Sequence, residues 1–299
     1  MPHRIFDFQW KDEKTPQFLC SKDGKLEEKK LVFGENLTLS ITSGIKCAGY
    51  EKNGVWNPCP HENVGSRKCP DCKQKEGLSV AQFCDGDNLG MFSSEDLEKL
   101  QTPHYLYLAL FQKDMFKVGV SSVSRGYLRQ MEQGTHFALI LAEGMGGILA
   151  RQAEKFLTKC GIPDKILSSQ KKEFLFPDIS EEEGKRVLLS AIQKYIPALL
   201  HDRPEIKSFL KEPCEFLNFE NYFHLQDAKN CQKPLHAISL KLGDILSGKV
   251  LSVKGSFLVM ETDREKIILN AKDLFGFEID FIEKPLGMIL EKGFQSAMF

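Results

Sequence analysis

Residues 3–10, HRIFDFQW, alternate apolar and polar positions, as a strand with one buried face does. KLVFG and LTLSITSG repeat that period, with Gly24, Gly34 and Gly44 as turn punctuation, so residues 1–45 are predicted to be β-hairpins. From residue 103 the pattern changes. HYLYLALF is an apolar strand run, QKD a hairpin turn and MFKVGVSS a second strand. A helix is predicted from about Arg125 to Gln133, then a third strand, FALILAEG. GGILARQAEKFLTKCG reads as a helix stopped by Gly161, with Pro163 just beyond. The predicted order is β-β-α-β-α. SEEEGKRVLLSAIQKYIPALL is a further helix, with Ser180 as N-cap and Glu183 at the capping-box position. Residues 201–234 contain three prolines and are read as a boundary. Strand patterns return in HAISLKLGDILSGKVLSVKGSFLVMETDREKIILN and FGFEIDFIEK.

The expected fold class is α+β, in four parts: an N-terminal β segment (1–45), an insert (46–86), a central α/β domain (103–200) and a C-terminal β segment (235–299). The two terminal β segments are expected to pack together.

The insert is rich in Cys, Gly, Pro and Asn and poor in aliphatic residues, so it cannot build a core and needs a metal to hold it. The chain has nine cysteines, an odd number, and no export signal, which argues against a disulfide framework. Cys69-Pro-Asp-Cys72 is a knuckle in which two thiolates can share one ion while backbone N–H groups face the sulfurs. Cys47 and Cys59 supply a second pair. Four thiolates suit a closed, structural Zn²⁺ site. Cys84 and His61 are alternative ligands on the sequence alone. Cys20, Cys160, Cys214 and Cys231 are expected to be buried thiols.

Composition narrows the classes. With 42% hydrophobic and 27% charged residues there is material for a core. No apolar run reaches the roughly 18 residues that span a bilayer, so no membrane partner is expected. No secretory h-region opens the chain, and a cytoplasmic location is the expectation. A net charge of −1 rules out nucleic-acid binding by bulk charge. Residues 103–173, however, hold ten Lys/Arg against six acids. No G-x-S-x-G, P-loop or Rossmann fingerprint is present, which disfavours nucleophilic hydrolases and nucleotide-cofactor enzymes.

That basic stretch also places chemistry. Tyr105 and Tyr107 share one strand face. The next strand delivers Lys117 and Gly119. Arg125 and Arg129 are one helical turn apart, as are Arg151 and Glu154 on the later helix. Guanidinium forks hold phosphate oxygens bidentately, and a carboxylate can hold Mg²⁺ or Mn²⁺ with waters completing its shell.

YLYLALFQKDMFKVGVSS, with the arginine-bearing helix and Glu154-Lys-Phe-Leu157 after it, resembles the GIY-YIG nuclease superfamily over about 70 residues. The resemblance implies a small nuclease-like fold. By it, Tyr105 or Tyr107 stands for the first tyrosine, Arg129 or Arg125 for the catalytic arginine and Glu154 for the ligand of a Mg²⁺ or Mn²⁺ ion. The first motif lacks its glycine, and Lys117 replaces the second tyrosine. A longer resemblance rests on Cys-x-Gly at 47, Pro-Cys-Pro at 58, Cys-x-x-Cys at 69, Lys-Val-Gly-Val, Arg-Gly-x-x-Arg, Glu-Gln-Gly and Arg-x-Ala-Glu. That pattern is similar to an uncharacterised prokaryotic family known only as a domain of unknown function. Two functions are carried forward. One is a zinc-containing protein that binds nucleic acid, DNA or RNA, with metal-dependent phosphodiester cleavage as the implied activity. The other is a non-catalytic, zinc-stabilised RNA- or protein-binding module on a degenerate nuclease-like fold.

Overall fold

The computed structural model describes residues 2–52, 55–61, 65–77 and 79–282. The last two residues of FGFEIDFIEK lie outside them. The first part of the chain forms β1 (His3–Asp12), β2 (Thr15–Lys22), β3 (Lys25–Lys30), β4 (Asn36–Ser43), a short hairpin of β5 (Tyr50–Lys52) and β6 (Val55–Asn57), and α1 (Pro70–Glu76). The middle forms α2 (Val80–Phe83), α3 (Ser94–Lys99), β7 (Pro103–Gln112), β8 (Met115–Ser122), α4 (Leu128–Gln133), β9 (Phe137–Gly146), α5 (Gly147–Lys159), α6 (Ser168–Glu173), α7 (Glu181–Asp202) and β10 (Leu210–Asn218). The last part forms α8 (Leu225–Asn230), β11 (Leu235–Ile238), β12 (Ile245–Lys254), β13 (Phe257–Glu261), β14 (Lys266–Asn270) and β15 (Glu278–Phe281). The fold is mixed α+β.

Two compact units result. Residues 2–77 and 221–282 form the first, and residues 79–220 the second. The first unit is a nine-stranded sheet in the order β11-β14-β13-β12-β4-β15-β1-β2-β3. Strands from the two ends of the chain interleave in it, because β4 lies between β12 and β15, antiparallel to both. Alternation predicts the buried set: Ile5 and Phe18 from one end, Leu246 and Leu258 from the other, are fully buried.

The second unit has a four-stranded sheet, β10-β9-β7-β8. Its centre, β7, is buried on both faces, which is why its sequence is a continuous apolar run instead of an alternating one. Leu106, Leu108 and Leu110 face a core with Ala150, Ala153 and Leu157 of α5 and Leu188 and Ala191 of α7. Tyr105, Tyr107, Ala109 and Phe111 face the opposite side, against Val123, Tyr127 and Ile166. Ser180 caps α7 by accepting from the Glu183 amide at 3.2 Å.

Three details differ from expectation. Arg125 does not open α4. It ends a separate 3-10 turn, Val123–Arg125, and Gly126 at φ +51° separates that turn from the helix. The positive φ suits glycine and ends any continuous helical hydrogen-bond ladder there. The proline-rich stretch 201–234 contains β10, whose Glu215–Asn218 pair with β9 at the sheet edge, where a missing proline N–H leaves no central ladder bond unmade. Of the four scattered cysteines only Cys20 is buried; Cys160, at the end of α5, is exposed, and Cys214 and Cys231 are intermediate.

Candidate functional site

In the first unit, Cys47, Cys59, Cys69 and Cys72 come together with their sulfurs all within 4.8 Å of one another, and all four are buried. Cys69 immediately precedes α1, and Pro70 begins the helix, so its fixed φ starts the turn that carries Cys72 back toward Cys69. Zinc–sulfur bonds of about 2.3 Å set tetrahedral sulfurs roughly 3.8 Å apart. The Cys59 and Cys69 sulfurs are 3.8 Å apart. The Cys69 amide donates to the Cys47 sulfur at 3.2 Å and the His61 amide to the Cys59 sulfur at 3.5 Å, the outer-shell bonds that orient thiolate ligands. Burial, followed by the neighbouring thiols, raises the Cys72 pKa, and burial raises that of Cys47 against opposing amide bonds. Four such groups are held as thiolates by a cation. The four cysteines are therefore positioned to hold a metal ion, and their donor set fits structural zinc. The two alternative ligands stand elsewhere: His61 Nε2 is 3.0 Å from Asp71, and Cys84 is buried with Val80, Leu100 and Ile148 in the second unit.

The second unit gathers a different group. Tyr107 pairs in register with Gly119 across the β7–β8 hairpin, and its ring lies over that glycine. A Cβ at residue 119 would fall 2.5 Å from the ring, so only glycine admits the tyrosine. The Tyr107 hydroxyl donates to Gln133 Oε1 of α4 at 3.4 Å. Tyr107 is fully buried, and burial pushes its phenol up to about 12, with the charges of Arg129, Glu154 and Arg151 also acting on it. Lys117 is 7% exposed and donates from Nζ to the Asp164 carbonyl at 2.9 Å. Burial brings its ammonium down to about 8; Glu154 and Asp164 oppose that shift, while Arg129 and Arg151 add to it.

Arg151 and Glu154, one turn apart on α5, form an ion pair at 2.8 Å, with side chains 20% and 15% exposed. The helix carrying them is fixed by residues 85–87: Lys155 Nζ is 2.6 Å from Asp85 and 2.8 Å from Asp87, and Gln152 donates to the Gly86 carbonyl at 3.0 Å.

Among the expected site residues, then, Tyr107, Lys117, Arg129 and Glu154 share one electrostatic neighbourhood. Tyr105 belongs to another. Its ring is 6.1 Å from that of Tyr127, whose hydroxyl donates to Glu215 at 2.5 Å, while Lys211 bridges Glu215 and Glu143 at 2.5 and 2.8 Å. Arg125 is half exposed and paired with Glu132 at 2.5 Å, the same carboxylate that lies 3.8 Å from Arg129.

The divalent ion that the nuclease resemblance implies at Glu154 does not fit this donor set. Mg²⁺ needs oxygen ligands, and Glu154 already pairs with Arg151. Among the described residues, the four cysteines are the group of three or more His, Cys, Asp or Glu placed to hold an ion.

A family model described as "Protein of unknown function (DUF2797)" matches residues 34–279. The chain belongs to that family. No curated protein matches it, and neither does any solved structure. The DUF2797 match takes in the four cysteines, β7 to α5 and most of the nine-stranded sheet. Within this DUF2797 chain, three partners in the second unit carry no signal in the sequence. Gln133 lies four residues beyond Arg129 on α4, a spacing that marks a shared helix face without naming a target. The Asp164 carbonyl is a backbone group and has no residue-type signature. Glu132 reads as an ordinary surface acid. None of the helices among the described residues is long and apolar enough to cross a membrane.

Proposed function

We propose that the second unit of this protein binds the phosphate backbone of nucleic acid, DNA or RNA, and that a zinc ion held by the four cysteines stabilises the first unit. What supports this reading is a set of three cationic side chains from three elements, Lys117 of β8, Arg129 of α4 and Arg151 of α5: both arginines act by charge on the buried Tyr107 and on Lys117. A guanidinium is the side chain best suited to planar, two-point contact with phosphate oxygens, and two of the three are arginines. Arg129, at 44% exposure, is the accessible cation of the three, and Lys117 is buried. The chain's net charge of −1 makes such a patch local, so binding is expected to fall steeply with salt.

A catalytic reading has one observation in its favour: the charges of Arg129 and Glu154 both act on Tyr107. Against it stand the lysine at position 117, the phenol held protonated and the ion pair on Glu154. The test is incubation of labelled branched, single-stranded and duplex nucleic acids with the protein, with and without Mg²⁺ or Mn²⁺. Salt-sensitive binding without cutting is the expected result. Cutting that disappears in Glu154→Gln would establish the nuclease instead. Absence of binding at low salt would sink both.

A further inference from the structure

We propose that the cysteine centre is a latch on the nine-stranded sheet. With its metal ion bound it holds β15 in place between β4 and β1, and without the ion that joint opens. The proposal rests on the zinc reading above and adds which strands the ion secures.

In the sheet order β15 stands between β4 and β1, so it joins the β1–β2–β3 hairpins to the other five strands. It is four residues long. Its register with β1 covers two pairs, His3 with Ile279 and Arg4 with Glu278. Two more bonds extend the seam: the Ile5 amide donates to the Phe277 carbonyl at 3.0 Å, and the Gly276 amide to the Ile5 carbonyl at 2.8 Å. A joint this short gains little from its own ladder, and side contacts must help to hold it.

The insert supplies them at three points, each next to a cysteine. Lys46 adjoins Cys47. Its amide donates to the Gly276 carbonyl at 2.8 Å, and its Nζ to both Glu278 carboxylate oxygens at 3.1 Å. Arg67, two residues before Cys69, donates to the Asp273 carbonyl at 3.1 Å, in the 3-10 turn Ala271–Leu274 that leads into β15. Trp56, three residues before Cys59, stacks on Phe6 of β1, with ring centroids 4.6 Å apart and planes 13° apart. Gly276 fits the chain to the insert: its φ is +87°, and a Cβ there would fall 2.7 Å from the Lys46 carbonyl oxygen.

The four cysteines are what fixes these three positions relative to one another. The buried cluster they form has Tyr50 packed against it. Consecutive Cα atoms are about 3.8 Å apart, so a residue one to three positions from a bound ligand has little freedom. Release of the ion frees all four ligands, and Lys46, Trp56 and Arg67 must then be ordered at the full entropy cost.

The experiment follows hydrogen exchange by mass spectrometry in the full chain under reducing conditions, zinc-loaded and after a strong chelator. Native mass spectrometry reads the zinc content, and β7 of the second unit is the internal reference. On zinc loss, residues 3–8 and 276–282 should exchange about tenfold faster or more, together with 46–76. A double variant, Lys46→Met with Arg67→Ala, cuts two of the three contacts and keeps every cysteine. It should still bind one zinc, yet exchange several-fold faster than wild type at 276–282. After chelation the two proteins should exchange alike there, because the contacts are already lost. Loosening confined to 46–76 on zinc loss would overturn the latch. So would wild-type protection at 276–282 in the zinc-loaded double variant, or a variant effect as large without zinc as with it. All three would leave the zinc reading standing. A wild-type chain that carries no zinc would overturn that reading and the latch with it.

Discussion

The two candidate sites are built by opposite rules. The cysteine centre takes four residues of one type from 26 consecutive positions and encloses them completely. The cationic group draws Tyr107, Lys117, Arg129, Arg151 and Glu154 from β7, β8, α4 and α5, and its Arg129 is 44% exposed. The first makes a local fold hold together, and its parts are useless singly. The second borrows a sheet that is already stable, and its parts can be removed one at a time. Stability measurements should therefore find the first site, and binding measurements the second.

The largest effect separates them most cleanly. Cys72→Ser, or zinc removal by a strong chelator, is expected to unfold the region around the first unit's insert, with loss of several kcal/mol, since structural zinc contributes folding energy on the order of 10 kcal/mol in small sites. Native mass spectrometry should show one zinc in the wild-type chain and none in the variant. A metal-free chain with unchanged thermal unfolding would break the comparison.

Next comes Gly119→Ala. A Cβ at this residue meets the Tyr107 ring at 2.5 Å, so a cost of about 1–3 kcal/mol is expected from overpacking. Chemical denaturation reads it, and an unchanged midpoint would show that the ring is free to move.

Lys117 gives a pH test of similar or smaller size. Its folded pKa, near 8, lies below the ordinary lysine value, so between those two values the unfolded chain binds more protons and stability rises with pH. Below pH 8 the buried ammonium is a cost. Lys117→Met should therefore stabilise the protein at pH 7 by on the order of 1 kcal/mol or more, with the advantage gone near pH 10.5. A variant that is less stable at pH 7 would mean the lysine is held by more than the Asp164 carbonyl. The smallest effect belongs to Arg125→Ala. This exposed ion pair with Glu132 should contribute less than about 1 kcal/mol, and its loss should scarcely change DNA affinity. A large loss of affinity would return Arg125 to the phosphate site.

How much of this was legible in the sequence follows the same division. The cysteine set could be read because a zinc site draws its donors from a few residue types at short spacing, and the spacing is in the sequence itself. The strands β7, β8 and β9 could be read because two-sided burial writes a long apolar run. The choice between Tyr105 and Tyr107 could not. Both point to one face of β7, and what parts them is their surroundings: Tyr107 opposes Gly119, while Tyr105 opposes Ser121 and Glu143 and has the Tyr127 ring beside it. Local pattern also misplaced Arg125, because a single positive-φ glycine inside a helical-looking stretch moved it onto its own turn. β10 was hidden by the prolines around it, since edge strands tolerate residues that interior strands exclude.

The order of β4 between β12 and β15 has a consequence for synthesis on the ribosome. Both neighbours of β4 lie beyond residue 244, after the whole of the second unit has been translated. The nascent chain therefore completes the later unit first, while the first four strands wait without the partners that close their sheet. Chains arrested after residue 220 are expected to give protease-resistant 79–220 and a labile 1–45; equal resistance of both would show that the amino-terminal hairpins stand alone. The vectorial order of this polypeptide is thus the reverse of its numbering: the second unit becomes a finished particle while its host is still a tethered fragment.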